Sequence, residues 1–411
     1  MARRSEYPRR RRRPAPHQPH KSFEKQRVQR LKAGADAKLK KVFAGIGVPG
    51  PKAFKPDPYQ LEAVAAVKRS DCLVTAPTGA GKTWIALQAI THLRSKGGSA
   101  WYASPLKALS NAKYAEFSGI FGADQVGILT GDRKENPEAP VIVGTTEILR
   151  NHLYDAMHLG ESLKTDLVIL DEAHFLGDPD RGVVWEEIMI YLPARIPLLL
   201  LSATIGNADR IADWLAGMRG RRCAVVAETR RPVPLYPLFF HPSGTLLPFV
   251  TPADAGGKPK LYRKVKEFVN TRRQPRIAPP GRLPPFGEML GVLKKYDLLP
   301  AIFFLKSRAD CDRALDLCRE YNPQNGERRD TLSRRIHELV ADSPHIARHR
   351  QRWYLEHPAV GSHHSGQLPA WKLVLESLMS EGLLDAVFAT STVAAGVNFP
   401  ARTVVFFNSD R

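Results

Sequence analysis

The 411-residue sequence lacks the features that mark membrane-spanning and disulfide-stapled proteins. No apolar run approaches eighteen residues, which excludes a transmembrane helix of ordinary length. The four cysteines form no C-x-x-C pair, so we expect reduced thiols in a cytoplasmic setting, or a nuclear one if the source is eukaryotic. The N-terminal residues contain no apolar core of the kind that a secretory signal needs, so export is not supported.

Acidic residues are scarce at the N-terminus. Residues 1–41 contain 15 Lys or Arg against Glu6, Glu24 and Asp36, and they carry most of the formal net charge of +20. A segment of this composition does not bury enough apolar surface to fold alone, and it binds any polyanion weakly. We therefore expect a basic disordered arm over residues 1–50. An organelle transit peptide or a nuclear address would have a similar composition.

Downstream of this arm, apolar strand patterns alternate with helical patterns. This alternation predicts an α/β fold with parallel sheets and with ligands at the carboxyl ends of the strands. We expect a first domain over 51–240, a Pro/Gly-rich insertion or linker over 241–295 and a second domain over 296–411. The predicted strands are 72–75, 100–103, 141–144, 167–170, 198–201, 224–227, 301–305, 385–389 and 403–407, and a polar helical stretch is predicted over 330–356.

A small-residue loop between the first predicted strand and a helix has the pattern of a phosphate-binding loop. Ala76 stands at the first glycine position of the consensus, and Gly81-Lys82-Thr83 completes it. Lys82 is placed to reach the β- and γ-phosphates of a nucleotide, and the Thr83 hydroxyl is placed to bind Mg²⁺. The backbone expected to wrap the phosphates belongs to Thr78, Gly79, Ala80 and Gly81. A dinucleotide-binding interpretation fails because Trp84 occupies the third glycine position.

Two carboxylates follow the buried pattern 167–170, in the string Asp171-Glu172-Ala173-His174. At the end of a strand, Asp171 could hold Mg²⁺ and Glu172 could orient the water that attacks the γ-phosphate. Ser202-Ala203-Thr204 ends a further predicted strand. The Ser202 and Thr204 hydroxyls either link the nucleotide site to a neighbouring site through hydrogen bonds or act only as N-caps of the following helix.

In chain order, these strings and several others resemble a DEAD/DEAH-box helicase of superfamily 2. The motif sequences are most similar to those of the superkiller-type branch, whose members are exosome-associated RNA helicases. The resemblance rests on Gln60, APTGAGKT (76–83), SPLKALSNAKY (104–114), TGD (130–132), TTEILRNHLY (145–154), DEAH (171–174), SAT (202–204), HHSGQLP (363–369) and FATSTVAAGVNFPARTVVF (388–406).

The resemblance implies two RecA-like domains, the second incomplete, and further site residues. Gln60 resembles the residue that reads adenine, Gly396 belongs to a nucleotide-facing motif, and Phe54 either packs on the base or belongs to the core. The positions that match backbone-binding motifs for nucleic acid are Pro105, Lys107, Gly131, Thr145, Thr146, Ser307, Arg308 and Thr392.

The resemblance further implies ATP and Mg²⁺ as cofactors and an ATP-dependent RNA helicase acting on single-stranded RNA (or DNA). It also implies an RNA-degradation partner and no membrane partner. The alternatives are a DNA repair-type helicase of the same superfamily and a non-catalytic nucleic-acid-binding fragment.

One expected motif is missing from the sequence. These helicases carry a Gln-x-x-Gly-Arg-x-Gly-Arg element whose arginines reach the γ-phosphate, and the only similar string here, residues 217–222, lacks the glutamine. We interpret that string as a decoy that ends a helix of the first domain. The chain therefore resembles a C-terminally truncated helicase, which we expect to bind ATP with little hydrolysis because such arginines contribute ~10³–10⁵ in rate.

Overall fold

The computed structural model describes residues 31–45, 54–161, 163–251, 259–322, 326–341, 344–390 and 399–407. Within these ranges no helix is long and apolar enough to cross a membrane. All four cysteines are free, as the sequence predicts, and burial raises the pKa of the Cys72 thiol to about 12. This thiol therefore stays protonated and unreactive at neutral pH.

The described chain begins with a short strand and a helix, β1 (Gly34–Ala35) and α1 (Ala37–Gly45). A first unit follows, in which strands and helices alternate. Its strands are β2 (Asp71–Thr75), β3 (Ala100–Ser104), β4 (Val126–Leu129), β5 (Lys134–Glu135), β6 (Val141–Thr145), β7 (Leu167–Leu170), β8 (Leu198–Ser202) and β9 (Cys223–Ala227). Its helices are α2 (Pro58–Val67), α3 (Lys82–Arg94), α4 (Lys107–Phe121), α5 (Thr146–His158), α6 (Gly182–Tyr191) and α7 (Ala208–Arg219), and a 3-10 turn spans Ala173–Gly177.

The remaining elements form a connecting region and a second unit. The connecting region contains β10 (Leu238–Phe240), β11 (Thr245–Pro248), β12 (Val250–Thr251), β13 (Lys260–Leu261) and α8 (Arg263–Asn270). The second unit contains α9 (Phe286–Lys295), β14 (Ala301–Phe304), α10 (Arg308–Asp316), α11 (Gly326–Val340), α12 (Pro344–Ala347), α13 (Arg352–Glu356), β15 (Val360–His363), α14 (Pro369–Ser380), β16 (Ala386–Ala389) and β17 (Thr403–Phe406).

Each unit is built on a parallel sheet, which confirms the predicted fold class. The strand order of the first sheet is β5-β4-β6-β3-β7-β8-β2-β9, and every pair in it is parallel except β4 with β5. Helices cover both faces, with Ile85 and Phe117 in one core and Trp185 and Leu215 in the other. The second sheet has the order β15-β16-β14-β17 and is parallel throughout.

The N-terminal arm differs from the sequence-based expectation over residues 31–45. β1 pairs in parallel with β11, and the Leu39 side chain is 4% exposed in the core of the second unit. The Leu31 amide donates to Glu288 Oε2 over 2.6 Å, and Asp36 Oδ2 lies 2.9 Å from Lys264 Nζ. Tertiary contacts thus order a sequence whose charge density alone predicts disorder.

The expected linker over 241–295 also contains part of the second unit. Helix α9 places Phe286, Met289 and Leu293 in the same core as β14, so the second unit starts at or before Phe286 rather than at 296. The polar stretch predicted as 330–356 is three helices, α11 to α13. These helices bury only a narrow apolar stripe, including Leu332 and Ile336, and this stripe gave no signal for the breaks between them.

The decoy string 217–222 has a structural role. Arg219 ends α7, and its side chain is 2% exposed; its Nε atom donates to Asp71 Oδ2 over 2.7 Å. The two Nη atoms donate to the backbone carbonyls of Leu192 and Ile196, each over 2.7 Å. Arg219 therefore ties α7 to β2 and to the loop before β8, deep inside the first unit.

Candidate nucleotide and nucleic-acid sites

The phosphate loop connects β2 to α3, as the sequence predicts. Gly79 and Gly81 have φ values of +81° and +80°, a region in which side chains other than glycine are strained. A Cβ atom on Gly81 would also lie 2.4 Å from Gln60 Nε2, so the Gln60 amide would have to move away from the loop. Lys82 Nζ donates to the carbonyls of Ala76 and Pro77 over 2.8 and 3.2 Å. The ammonium thus lies inside the curve of the loop.

Gln60 is buried against this loop. Its Nε2 atom donates to the carbonyls of Ala80 and Gly81 over 3.1 and 3.3 Å, and its Oε1 atom accepts from the Asp57 amide over 2.8 Å. Tyr59, its neighbour on α2, also donates its hydroxyl to the Ala80 carbonyl. Gln60 therefore supports the loop in this structure, and its reading of adenine stays a prediction that would use the remaining lone pair of Oε1.

Two aromatic rings flank the same end of the site. The Phe54 ring is 66% exposed, and its centroid lies 5.6 Å from that of Trp84, which follows the phosphate loop on α3. An exposed ring beside a nucleotide loop can stack on a base. Core packing, the alternative for Phe54, does not agree with this exposure.

Asp171 and Glu172 leave the sheet at the carboxyl end of β7. Asp171 Oδ1 accepts the Glu172 amide over 2.9 Å, and Asp171 Oδ2 accepts the Tyr102 hydroxyl, which is fully buried on the adjacent strand β3. Glu172 has a φ of +55°, a left-handed conformation that is uncommon for a residue other than glycine. His174 Nδ1 lies 3.2 Å from Glu172 Oε2. The two carboxylates are thus held in fixed and different surroundings.

The charges of this cluster act on one another. Burial lowers the pKa of Lys82, and the Glu172 and Asp171 carboxylates oppose that shift. Burial raises the pKa of Glu172, the Asp171 charge adds to the rise, and Lys82 and Lys113 oppose it. Burial and the Lys82 charge lower the pKa of His174. A raised carboxyl pKa beside a lysine is typical of sites that move protons or bind phosphate.

Lys113 belongs to the site although the sequence did not single it out. It lies on α4, and its Nζ atom is 2.9 Å from Thr83 Oγ1 and 2.8 Å from Glu116 Oε2. Its side chain is 15% exposed. Lys113 thus contacts the hydroxyl that is expected to bind Mg²⁺.

The donor set fits magnesium bound together with a nucleotide. Among the described residues, no three His, Cys, Asp or Glu side chains are grouped so that they could hold a metal ion. Mg²⁺ takes one or two protein oxygens, several waters and substrate phosphates. Asp171 and Thr83 supply such a limited set of oxygens at the ends of neighbouring elements.

The Ser202-Ala203-Thr204 loop is joined to the strand that leads into the phosphate loop. Thr75 Oγ1 donates to the Ala203 carbonyl over 3.2 Å and accepts the Ile205 amide over 3.2 Å. The Ser202 hydroxyl is buried and has no hydrogen-bond partner among the described residues, whereas Thr204 is exposed. Neither hydroxyl caps α7, because that helix begins after Asn207. That these hydroxyls couple the nucleotide site to a neighbouring site stays a prediction.

The predicted nucleic-acid loops of the first unit meet at one half of the sheet edge. Lys107 Nζ lies 3.2 Å from Asp132 Oδ1, and it would be 3.5 Å from a Cβ atom on Gly131. Thr145 pairs in register with Ser104, the residue before Pro105. Thr146 begins α5 and is fully buried, so its contribution would come from the backbone amides of the helix start.

In the second unit the structure tests only part of the predicted set. Ser307 caps α10: its hydroxyl accepts the Asp310 amide over 3.1 Å. Arg308 is exposed and packs beside Gly366, whose missing Cβ would lie 3.4 Å from Arg308 Cδ. Thr392 and Gly396 lie outside the described residues.

Tyr102 and Lys113 contact predicted site residues, and Thr75 contacts the two neighbours of Thr204, yet none of the three was predicted. Tyr102 and Thr75 lie inside strands that read as continuous buried runs, so their hydroxyls gave no local signal. Lys113 stands in the string 104–114, which was assigned to nucleic acid alone. The residues predicted to bind nucleotide follow β2, β8 and β7, and those predicted to bind nucleic acid follow β3, β6 and β4.

Comparison with known proteins agrees with this arrangement. Residues 57–211 match the family described as DEAD/DEAH box helicase. A chloroplastic DExH-box ATP-dependent RNA helicase of Arabidopsis thaliana is 34% identical over 394 residues, and the match covers 86% of this chain and 33% of that protein. The probable helicase HelY of Mycobacterium tuberculosis is 37% identical over 387 residues, covering 86% and 41%. The human superkiller complex protein 2 is 36% identical over 377 residues, covering 86% and 30%.

The chain thus spans only 30% to 41% of the length of these relatives. The matched region contains the phosphate loop, the Asp171-Glu172 pair and the Ser202 loop. This chain belongs to the DEAD/DEAH-box helicases of superfamily 2 and is similar to their superkiller-type members.

Proposed function

We propose that this chain is the ATP-binding and strand-binding part of an RNA helicase that couples ATP hydrolysis to movement along single-stranded RNA and to duplex unwinding. The observation that carries the proposal is the position of β3 in the first sheet. Its carboxyl end leads into Pro105 and Lys107, and its Tyr102 donates to Asp171, which directly follows β7. One strand therefore touches both halves of the sheet edge.

In the proposed mechanism, each nucleotide-site residue has a separate task. Lys82 binds the β- and γ-phosphates, Asp171 and the Thr83 hydroxyl hold Mg²⁺, and Glu172 orients the attacking water and accepts its proton. Mg²⁺ supplies charge neutralisation at the phosphates. The raised pKa of Glu172 favours proton acceptance, because a base is most effective when its pKa is near the working pH.

At the base end of the site, the exposed Phe54 ring, which contacts Trp84, stacks on adenine, and Gln60 reads the edge of the base while supporting the loop. Gly396 completes the nucleotide site from the second unit. Ser202 and Thr204 transmit the state of the phosphates through the Thr75 hydrogen bonds to the rest of the sheet edge.

Nucleic acid is bound across both units without sequence preference. The first unit contributes Pro105, Lys107, Gly131, Thr145 and Thr146, and the second contributes Ser307, Arg308 and Thr392. Contacts to phosphate and sugar give grip that is independent of sequence, as movement along a strand requires. RNA is favoured over DNA because relatives that match 86% of the chain are named as RNA helicases. A partner that degrades RNA is part of the same proposal.

The finer part of the proposal concerns rate. The 411 residues contain no Gln-x-x-Gly-Arg-x-Gly-Arg element, and the similar string at 217–222 is committed to the Arg219 ion pair inside the first unit. We therefore expect this chain to bind Mg-ATP and to hydrolyse it slowly. Adding a downstream segment that bears such arginines should raise turnover.

The test is ATP binding and ATP hydrolysis with and without single-stranded RNA, beside equal single-stranded DNA and a Lys82→Ala control. Binding that is lost in the control, with RNA-sensitive affinity, supports the proposal. Stronger coupling to DNA than to RNA would favour a DNA repair-type helicase instead. RNA binding that is unchanged by ATP and by Lys82→Ala would identify a non-catalytic nucleic-acid-binding module.

A further inference from the structure

A cavity outside the predicted nucleotide site lies in the second unit, at the carboxyl ends of β14 and β17. There a cavity of ≈ 380 Å³ is bounded by the loop 275–284 on one side and by Leu305, Lys306 and Phe407 on the other. The carboxyl edge of a parallel sheet is where ligands usually bind. The loop was expected to be a linker, and none of the helicase strings includes it.

The loop has a defined shape. Pro279 to Arg282 forms a turn closed by the Arg282 amide and the Pro279 carbonyl over 3.1 Å, with Gly281 at a φ of +75°. Proline followed by such a glycine is the pattern of a type II turn. On either side of the turn, Ile277 and Leu283 pack against the core of the second unit. The wall of the cavity is thus held in place from both ends.

The cavity carries an excess of positive charge. Arg276 and Arg282 on the loop and Lys306 after β14 are all exposed, and none of the three side chains has a hydrogen-bond or ion-pair partner within the described ranges. The lining contains one acid, Asp310, which is 3.1 Å from Arg313 and accepts the Ser307 hydroxyl over 2.9 Å. The three cations are therefore available to a ligand, whereas the carboxylate is already engaged.

The position of the cavity identifies the ligand class. Lys306 directly precedes Ser307 and Arg308, the predicted backbone-binding loop, and Arg308 packs beside Gly366. We propose that the cavity binds phosphodiester groups of single-stranded RNA through Arg276, Arg282 and Lys306, and so extends the strand path beyond the family strings. The choice of RNA as the ligand rests on the proposed function. The evidence for the site itself is independent of that function, because it is the cluster of three cations around the cavity, unpaired within the described part of the chain.

The experiment measures binding of a labelled single-stranded RNA at several salt concentrations. The test variant is Arg276→Gln/Arg282→Gln. Two control variants accompany it: Arg276→Lys/Arg282→Lys keeps the charge, and Lys266→Gln/Arg334→Gln removes the same charge from exposed sites on α8 and α11 outside the cavity. Thermal melting checks that all variants fold.

We expect the test variant to reduce the salt slope, d log K/d log [salt], by about 1.4 in magnitude and affinity at 0.1 M salt by about 25-fold, because each phosphate contact on a single strand contributes about 0.7. The lysine variant should keep most of the slope, and the remote variant should resemble the wild type. A test variant that binds like the remote control overturns the site. Equal competition by poly-glutamate would also overturn it, since that result assigns the cations to an acidic peptide. If wild-type RNA binding itself is absent, the proposed function fails first, and the controls show this directly.

Discussion

Replacing Arg219 tests whether the Gly-Arg string at 217–222 is structural or catalytic. Arg219→Met keeps most of the apolar stem but removes the guanidinium, which makes three hydrogen bonds of 2.7 Å each. Asp71 is fully buried, so the variant leaves its carboxylate with the Leu198 amide at 2.9 Å and Arg221 Nε at 3.4 Å. The charge is then only partly compensated.

The magnitude follows from this loss. Removing one partner of a buried ion pair costs about 3–5 kcal/mol of unfolding free energy. The remaining Arg221 contact reduces the expected loss of unfolding free energy toward about 3 kcal/mol. The carbonyls of Leu192 and Ile196, which lose their donors, increase it. For a unit of this size, each kcal/mol lowers Tm by about 2–4 °C, so we expect a decrease of about 10 °C.

The assay is thermal unfolding followed by circular dichroism, with ATP binding measured well below the transition. Arg221→Met is the matched control, because its side chain is 25% exposed, and we expect it to cost less than about 1 kcal/mol. Asp71→Asn combined with Arg219→Met should recover part of the loss, since no buried charge then remains. An Arg219→Met variant that melts with the wild type but loses ATP hydrolysis would refute the structural role and restore a catalytic one.

Three further substitutions test the nucleotide site. Tyr102→Phe removes a hydrogen bond to the Asp171 carboxylate, which is worth about 1.5–3 kcal/mol. The RNA-stimulated kcat should therefore fall about 10-fold or more, and a higher Mg²⁺ concentration should be needed for half-maximal activity. An unchanged Mg²⁺ titration would contradict this. Lys113→Met removes a charge that lowers the pKa of Glu172, so the acid limb of the pH–rate profile should move to higher pH; a profile that stays in place would show that Glu172 is not the titrating base. Phe54→Ala should weaken binding of a fluorescent ATP analogue by roughly 2- to 12-fold, because a ring contact contributes about 0.5–1.5 kcal/mol; equal affinity would assign the ring to packing on Trp84 alone.

The sequence placed the phosphate loop and the acidic pair at the ends of the correct strands because each of these strings is local. Residues 76–83 form one strand-to-helix turn, and Asp171-Glu172 follows its strand directly, so spacing alone placed these groups at the sheet edge. The sequence patterns did not predict strand β15, which carries His363, or strand β4. Each of these strands has only four residues and contains a glycine. The patterns also failed for residues 31–45, whose strand pairs with residues more than 200 positions away.

Local chemistry in the sequence thus determined the parallel α/β fold, the phosphate loop and the acidic pair, because backbone sterics, buried strand patterns and glycine positions act over a few residues. Tertiary structure alone decided which groups act together. Tyr102 meets Asp171 only because β3 lies beside β7, and Lys113 reaches Thr83 only because α4 packs on the same face of the sheet as α3. The loop 275–284 becomes the wall of a cationic cavity only when Ile277 and Leu283 enter the core of the second unit. Such pairings depend on strand order and helix packing, which no local pattern encodes.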